Sequence, residues 1–366
     1  MKVAIITGSR ADWNGLGMVG MTLRDEHKAD VRVVCIGQQA SHPCPAIASD
    51  GFKPSIVTTD TGFDIDVEVA VSTGRATDAT AKLLDQIRPD VAVVLGDRFE
   101  ILGTATAVAL LRIPIAHIGG GDITEGSIDN KLRYAITALA DVHFTTNLKS
   151  YQRLDEASIM GGIYNIGNPA LDRIRLTKTL SKAELFKALG LSASRHNILV
   201  AYHSATLEDD PLASCMELTK ALKAFDKDST FLVLGTNTDT GSAGITKLLR
   251  RFADDVCYYG KMVDNLSPQH FYSCLQHFDY MVGNSSAGIV ETAGFGIPVV
   301  NIGPLQIGRD LPENALSCEA SEQSIVKAIN IAMEGSRHPA TNPYGNGYSA
   351  PRIAKVIANQ VGGRNG

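Results

Sequence analysis

Two series of short, unbroken apolar runs organise the chain. The first is KVAIIT, VRVVCIG, SIVTT, VAVVLG, IPIAHIG, VHFTT and IYNIG; the second is NILVAY, FLVLG, VCYYG, YMVGN and PVVNIG. Unbroken runs, rather than alternation of apolar and polar residues, mark strands covered on both faces, as in parallel sheets. Helical spacing fills the intervals, most clearly over residues 75–88 and 127–140. The pattern pauses near Gly167-Asn168-Pro169 and then restarts. It predicts an α/β protein of two doubly wound, Rossmann-like domains, residues 1–168 and 169–348, followed by a helix from residue 349.

In open parallel sheets, ligands collect beyond the carboxyl ends of the strands. The segment from Asp90 to Thr137 places unusual chemistry there. Asp97 follows VAVVLG, Asp122 follows IPIAHIGGG, and Asp129 precedes Arg133 by one helical turn. Three acids and an arginine point to proton transfer on a substrate that itself carries negative charge. Helix capping is the plainer use of Asp122 and Asp129.

Other strand ends offer anion contacts. In GSRADW a helix begins directly after the first strand, so its free N–H groups and Arg10 suit a phosphate. The turn has neither Walker nor GxGxxG spacing, which disfavours a dinucleotide cofactor. In GNSSAGIVE, Ser285 and Ser286 open a helix, Gly288 lies within it, and Glu291 follows. A diphosphate on the serines with ribose hydroxyls on Glu291 is a nucleotide-sugar arrangement. His203 ends another strand, and Phe271 is a candidate to stack on a base, with core packing as its plainer role. Trp13 and Tyr134 suit either a sugar face or the interior. His117 and His143 sit on strands and read as buried.

Composition narrows the partners. The chain has 366 residues, 44% hydrophobic and 20% charged, a soluble profile too long for one ordinary core. A net charge of −5 provides no basic field for nucleic acid. No run approaches the roughly 20 apolar residues that span a bilayer, and the start reads as a strand and not a signal peptide. The six cysteines are scattered without a CxxC pair; Cys35, Cys257 and Cys274 read as reduced core residues. No HxH or HExxH spacing marks a metal site. The expectation is a cytoplasmic protein without metal or cofactor.

Taken in order, GSRADW, GDRFE, HIGGGDITEGSID…R.AIT…HF.TN, YHS.TLE, N.DTG and GNSSAGIVE…GIPVVNIG…GR resemble the hydrolysing UDP-N-acetylglucosamine 2-epimerases of sialic acid and related nonulosonate biosynthesis. The resemblance spans essentially the whole chain. It implies a GT-B arrangement with an interdomain cleft, a C-terminal helix (349–366) returning to the first domain, and a homodimer or homotetramer. It also implies elimination of the nucleotide across C1–C2 to a glycal, then hydration to a free sugar inverted at C2. By motif position, Asp97, Asp122, Asp129, Arg133 and His203 become the catalytic set. Arg10, Asn237, Phe271, Ser285, Ser286, Gly288 and Glu291 become substrate contacts. Asp97 and Asp129 would move protons at C2, and Asp122 would serve hydration.

Three departures lie on the sugar side. Asp122 stands where many members have glutamate, Tyr134 where a histidine is usual, and the loop QQASHPCPAIASDGF is short. The substrate expected is UDP-GlcNAc or a UDP-2,4-diacetamido-trideoxy hexose, with a GDP sugar also open. The alternatives are the non-hydrolysing epimerase, whose HxEAGLRT motif is not what stands here, a GT-B glycosyltransferase, and a non-catalytic nucleotide-sugar binding protein.

Overall fold

The computed structural model describes residues 1–59, 66–124, 128–205, 210–236, 241–256, 259–335 and 337–362. The chain divides into two compact units. One comprises Met1–Ile123, Ile128–Arg175 and the chain from Tyr344 onward; the other comprises Leu176–Pro343 together with Thr124.

The first unit contains β1 (Lys2–Thr7), β2 (Asp30–Ile36), β3 (Ser55–Val57), β4 (Val91–Leu95), β5 (Ile115–Ile118), β6 (Val142–Thr145) and β7 (Gly162–Asn165). They form one sheet in the order β3-β2-β1-β4-β5-β6-β7, every pairing parallel. Its two faces explain the unbroken runs. Val3 and Ile5 of β1 join one buried cluster with Trp13 and Leu16, whereas Ala4 and Ile6 join another with Ile101 and Ala105. A strand covered on both sides is mostly apolar on both of its faces.

The second unit holds β8 (His196–Ala201), β9 (Ser229–Leu234), β10 (Gly260–Val263), β11 (Tyr280–Gly283), β12 (Val299–Ile302) and β13 (Ala315–Cys318). Their order is β10-β9-β8-β11-β12-β13, again all parallel. In both sheets the order reverses beside the first strand, between β1 and β4 and between β8 and β11. Such reversals open the crevices where α/β sheets hold ligands.

Two strands differ from the sequence reading. Of the run VCYYG, Val256 belongs to a π turn and β10 begins only at Gly260, while Tyr258 lies outside the described residues. Phe252–Val256 instead continue the helix Ser242–Arg251 as a wider π turn, because Phe252 and Ala253 are buried there and Phe252 packs edge-to-face on Phe231 at 5.4 Å. Cys257 lies outside the described residues. β13 is a strand without an apolar run, because its ALSC sequence is half exposed at the sheet edge.

The helix Ala170–Leu176 belongs, through Arg175, with the first unit. Arg173 pairs with Asp50, Nη2 to Oδ2 at 2.6 Å and Nη1 to Oδ1 at 3.2 Å. The Trp13 indole donates to the same carboxylate at 2.8 Å and is wholly buried, so Trp13 is a core residue. Asp172 accepts from the backbone N–H groups of Ser349 and Ala350, at 2.9 and 3.0 Å. It thereby caps the helix Ser349–Gly362, whose Ala350, Ile353, Ala354 and Ile357 pack into the Trp13 cluster. Among the described residues no helix is long and apolar enough to cross a membrane.

Candidate active site

In the first unit the strand ends converge on one cluster. Beyond β4, Gly96 adopts a positive φ of 83° and turns the chain so that Asp97 precedes the helix Phe99–Leu110. The Arg133 guanidinium, only 3% exposed, donates to the Asp97 carboxylate, to the backbone oxygen of Asp122, and to Asn130 Oδ1 at 3.2 Å. One arginine therefore links the turns after β4 and β5. Asp129 opens the helix Asp129–Leu139, and its spacing from Arg133 puts both on one helical face.

Asp122 has a different setting. Gly119 and Gly121 have φ of 86° and 78°, and a Cβ on Gly121 would lie 2.4 Å from the Ser150 carbonyl. The turn therefore packs directly on the start of the helix Leu148–Glu156. Asp122 Oδ1 accepts from Thr146 at 2.7 Å, Asn147 at 3.2 Å and Ser150 at 2.5 Å, and Oδ2 accepts from Thr146 at 3.0 Å. Nearly buried and accepting from three side chains, this carboxylate holds the turn to the helix. Thr146 and Asn147 lie in the HF.TN motif and Ser150 just beyond it, but nothing in the spacing joins them to Asp122. Asp122→Ala strands those donors in a buried place and is expected to cost about 3 kcal/mol of stability. Urea unfolding followed by circular dichroism measures it; a loss below about 1 kcal/mol would show that the clasp is dispensable.

The turn after β1 is already supplied with an acid. Asp12 Oδ2 accepts from the backbone N–H groups of Gly8 and Ser9, at 3.1 and 2.8 Å, and Oδ1 accepts from the Ser9 hydroxyl at 2.7 Å. Burial raises the Asp12 carboxyl above its ordinary range, against the opposing pull of the Ser9 hydrogen bonds. A phosphate at these two N–H groups would have to displace Asp12. Arg10 begins the helix Arg10–Asp25, and its side chain lies outside the described residues. Nearby, Arg98 pairs with buried Glu100, Nε to Oε2 at 3.1 Å. Glu100 in turn lies against Gly37, where a Cβ would meet Oε1 at 2.5 Å.

In the second unit, His203 and Asn284 follow the two strands that flank the order reversal. The Asn284 side chain accepts from the His203 N–H at 2.7 Å and donates to its carbonyl at 2.9 Å. Gln306 donates to the Asn284 carbonyl at 2.7 Å. Asn284 stands within GNSSAGIVE and Gln306 between GIPVVNIG and GR, and neither spacing marks them as partners. Gly283, with φ of 145°, has no room for a Cβ, which would fall 1.9 Å from the Ala201 carbonyl oxygen.

Ser285 is half-buried and Ser286 exposed ahead of a single helical turn, Ala287–Val290. Gly288 is buried, with Val299 3.1 Å from where its Cβ would be, so its smallness serves helix-to-strand packing. Glu291 caps the turn's end and is 9% exposed. Its Oε1 accepts from the Tyr272 hydroxyl at 3.3 Å, and burial pushes its carboxyl up to about 7. Phe271 is half-buried and tilted against Tyr272, with centroids 5.7 Å apart. Tyr134 is partly exposed, and Asn237 lies outside the described residues.

Comparison with known proteins adds the family. The family model "UDP-N-acetylglucosamine 2-epimerase" matches residues 21–358. A "GDP/UDP-N,N'-diacetylbacillosamine 2-epimerase (hydrolyzing)" from Campylobacter jejuni is 27% identical over 328 residues, covering 88% of this chain and 85% of the relative. A "UDP-N,N'-diacetylbacillosamine 2-epimerase (hydrolyzing)" from Legionella pneumophila is 27% identical over 368 residues, covering 97% of this chain and 95% of the relative. The crystal structure of UDP-GlcNAc 2-epimerase from Neisseria meningitidis bound to UDP-GlcNAc superposes with a TM-score of 0.82 at 16% identity, covering 99% of each chain. That likeness gives the fold, GT-B. With two parallel sheets built as described and a family model matched over most of its length, the chain belongs to the UDP-N-acetylglucosamine 2-epimerase family.

Proposed function

We propose that the protein is a hydrolysing 2-epimerase of a UDP-linked 2-acetamido hexose. The observation that carries this reading is the Asp97–Arg133 pair, in which an acid at a strand end is held by an arginine that shares one helical face with Asp129. Family membership and the hydrolysing relatives support it.

In the proposed reaction, a carboxylate of the Asp97–Asp129 pair takes the C2 proton. UDP leaves C1 with the bonding electron pair, and a 2-acetamido glycal remains. Water then adds its hydroxyl to C1, while a proton reaches C2 from the opposite face. The products are UDP and the free C2-inverted sugar. Arg133 would keep one acid ionised, so that it is ready to act as the base. Asp122, clasped as it is, would maintain the turn that delivers these groups, and serving hydration directly would require it to leave its three donors. The second unit would hold the nucleotide, with the serines at the diphosphate and Glu291 at the ribose hydroxyls. Two relatives named for diacetylbacillosamine favour a 2,4-diacetamido-trideoxy sugar beside GlcNAc.

The test is incubation in deuterated water, without any acceptor, with UDP-GlcNAc and separately with UDP-N,N'-diacetylbacillosamine, followed by NMR. Free C2-inverted sugar carrying deuterium at C2, together with UDP, is the expected result. Epimerised UDP-sugar without free UDP would mark the reversible reaction instead. Absence of turnover with both would refute the reading.

A further inference from the structure

The turn that presents Asp97 rests on a histidine that no substrate contact explains. His117, on β5, is wholly buried. Its Nε2 lies 2.8 Å from the Gly96 carbonyl oxygen, and its Nδ1 lies 3.2 Å from the Thr137 hydroxyl. A carbonyl oxygen can only accept, so Nε2 carries the proton; Nδ1 then accepts from Thr137. Burial pushes this imidazole down to about 4, which keeps it neutral with one N–H and one lone pair.

The Gly96 N–H also donates to β5, to the Ile118 carbonyl at 3.0 Å, so both polar groups of Gly96 are fixed by that strand. Gly120 lies over the histidine–threonine pair, where a Cβ would meet Thr137 Oγ1 at 3.0 Å and His117 Nδ1 at 3.3 Å. Thr137 stands one turn beyond Arg133 on the helix that begins with Asp129. One imidazole thus touches the turn of Asp97, the glycine turn leading to Asp122, and the helix of Asp129 and Arg133.

We infer that His117 is a positioning residue, whose two directed hydrogen bonds lock the Asp97 turn to the Asp129–Arg133 helix. A side chain present only to fill the interior would need volume without direction. Here each ring nitrogen is matched to a partner of the opposite polarity, on a different acid-bearing segment. The inference rests on the proposed reaction for its kinetic consequence, but its structural consequence stands apart from turnover.

The test uses the whole protein with His117→Leu, His117→Gln and Thr137→Val. Hydrogen exchange read by mass spectrometry is expected to rise over residues 95–99 in the leucine and valine variants, with the second unit unchanged. In the NMR assay, His117→Leu should lower kcat about a hundredfold, the scale of a small misplacement of catalytic groups, with KM within about twofold. His117→Gln, whose amide can still donate to Gly96, should recover most of that loss. Unchanged exchange over residues 95–99 in both variants overturns the inference, as does a glutamine variant no better than leucine. A wild-type protein without turnover would defeat the proposed reaction alone, leaving the exchange measurement to decide the role of His117.

Discussion

Asp97→Asn is expected to lower turnover by about a thousandfold or more, the scale of a lost general acid–base group, while leaving UDP affinity within about twofold. The substitution keeps the size of the side chain and an oxygen that still accepts from Arg133, so the arginine is not stranded. What it removes is the charge and the ability to carry a proton. Removing the whole side chain would leave the nearly buried Arg133 without its anion, a change that typically costs about 3–5 kcal/mol when the pair is fully buried. Asp97 is itself 20% exposed, so water offsets part of that cost for Asp97→Ala. Comparing the two variants by thermal unfolding and NMR turnover therefore separates chemistry from support. An asparagine variant with near wild-type turnover would remove Asp97 from the mechanism.

The second large effect is expected at Glu291. Its carboxyl, pushed up to about 7 by burial, binds a proton in the folded protein over a range where the unfolded chain does not. Stability from this group is thus fully present below about pH 4.5 and is lost as pH rises through about 7. The shift corresponds to about 3 kcal/mol of strain from the buried charge at pH above 8. Glu291→Gln should therefore stabilise the ligand-free protein at alkaline pH and have little effect at pH 5.

Ribose hydroxyls donating to this carboxylate would favour its ionised form, so binding should expel the proton. Affinity for UDP-glucose, whose diphosphate does not titrate near neutrality, is expected to fall about tenfold per pH unit below pH 7 and to level off above it. Calorimetry at pH 6 in buffers of different ionisation enthalpy should record release of about one proton. In Glu291→Gln the pH dependence should vanish and binding above pH 7 should weaken. A wild-type affinity flat between pH 5.5 and 8 would rule out Glu291 as the ribose contact.

Much of the framework was legible because of how parallel sheets are buried. β1, β4 and β8 are covered on both faces, so their sequences are unbroken apolar runs that few other structures require. The edges were harder. β13 is half exposed and has no such run, and just ahead of VCYYG, Phe252 and Ala253 are buried in a π turn that runs on to Val256. The positions of Asp97, Asp129 and Arg133 at strand ends and on one helical face followed from local spacing. The use of Asp122 did not, since its donors Thr146, Asn147 and Ser150 are 24, 25 and 28 residues away and meet it only through packing of the glycine turn. Likewise, no local feature shows that the Asn284 side chain grips the His203 backbone, or that Glu291 is buried enough to shift its titration.

The cap that Asp172 places on the helix Ser349–Gly362 has a consequence for how the chain is made. Ala350, Ile353, Ala354 and Ile357 fill the cluster that also contains Trp13 and Leu16, and these residues leave the ribosome hundreds of positions after β1. The second unit, continuous from Leu176 to Pro343 apart from Thr124, is complete before them. Domains generally fold as units during synthesis, N-terminal first. Here that order is inverted: the part begun first must wait with an open apolar face until the last helix arrives. A chain cut off at residue 343 and released would therefore hold every residue of the second unit but an unfinished first one, and it is this early segment that a chaperone would have to shelter.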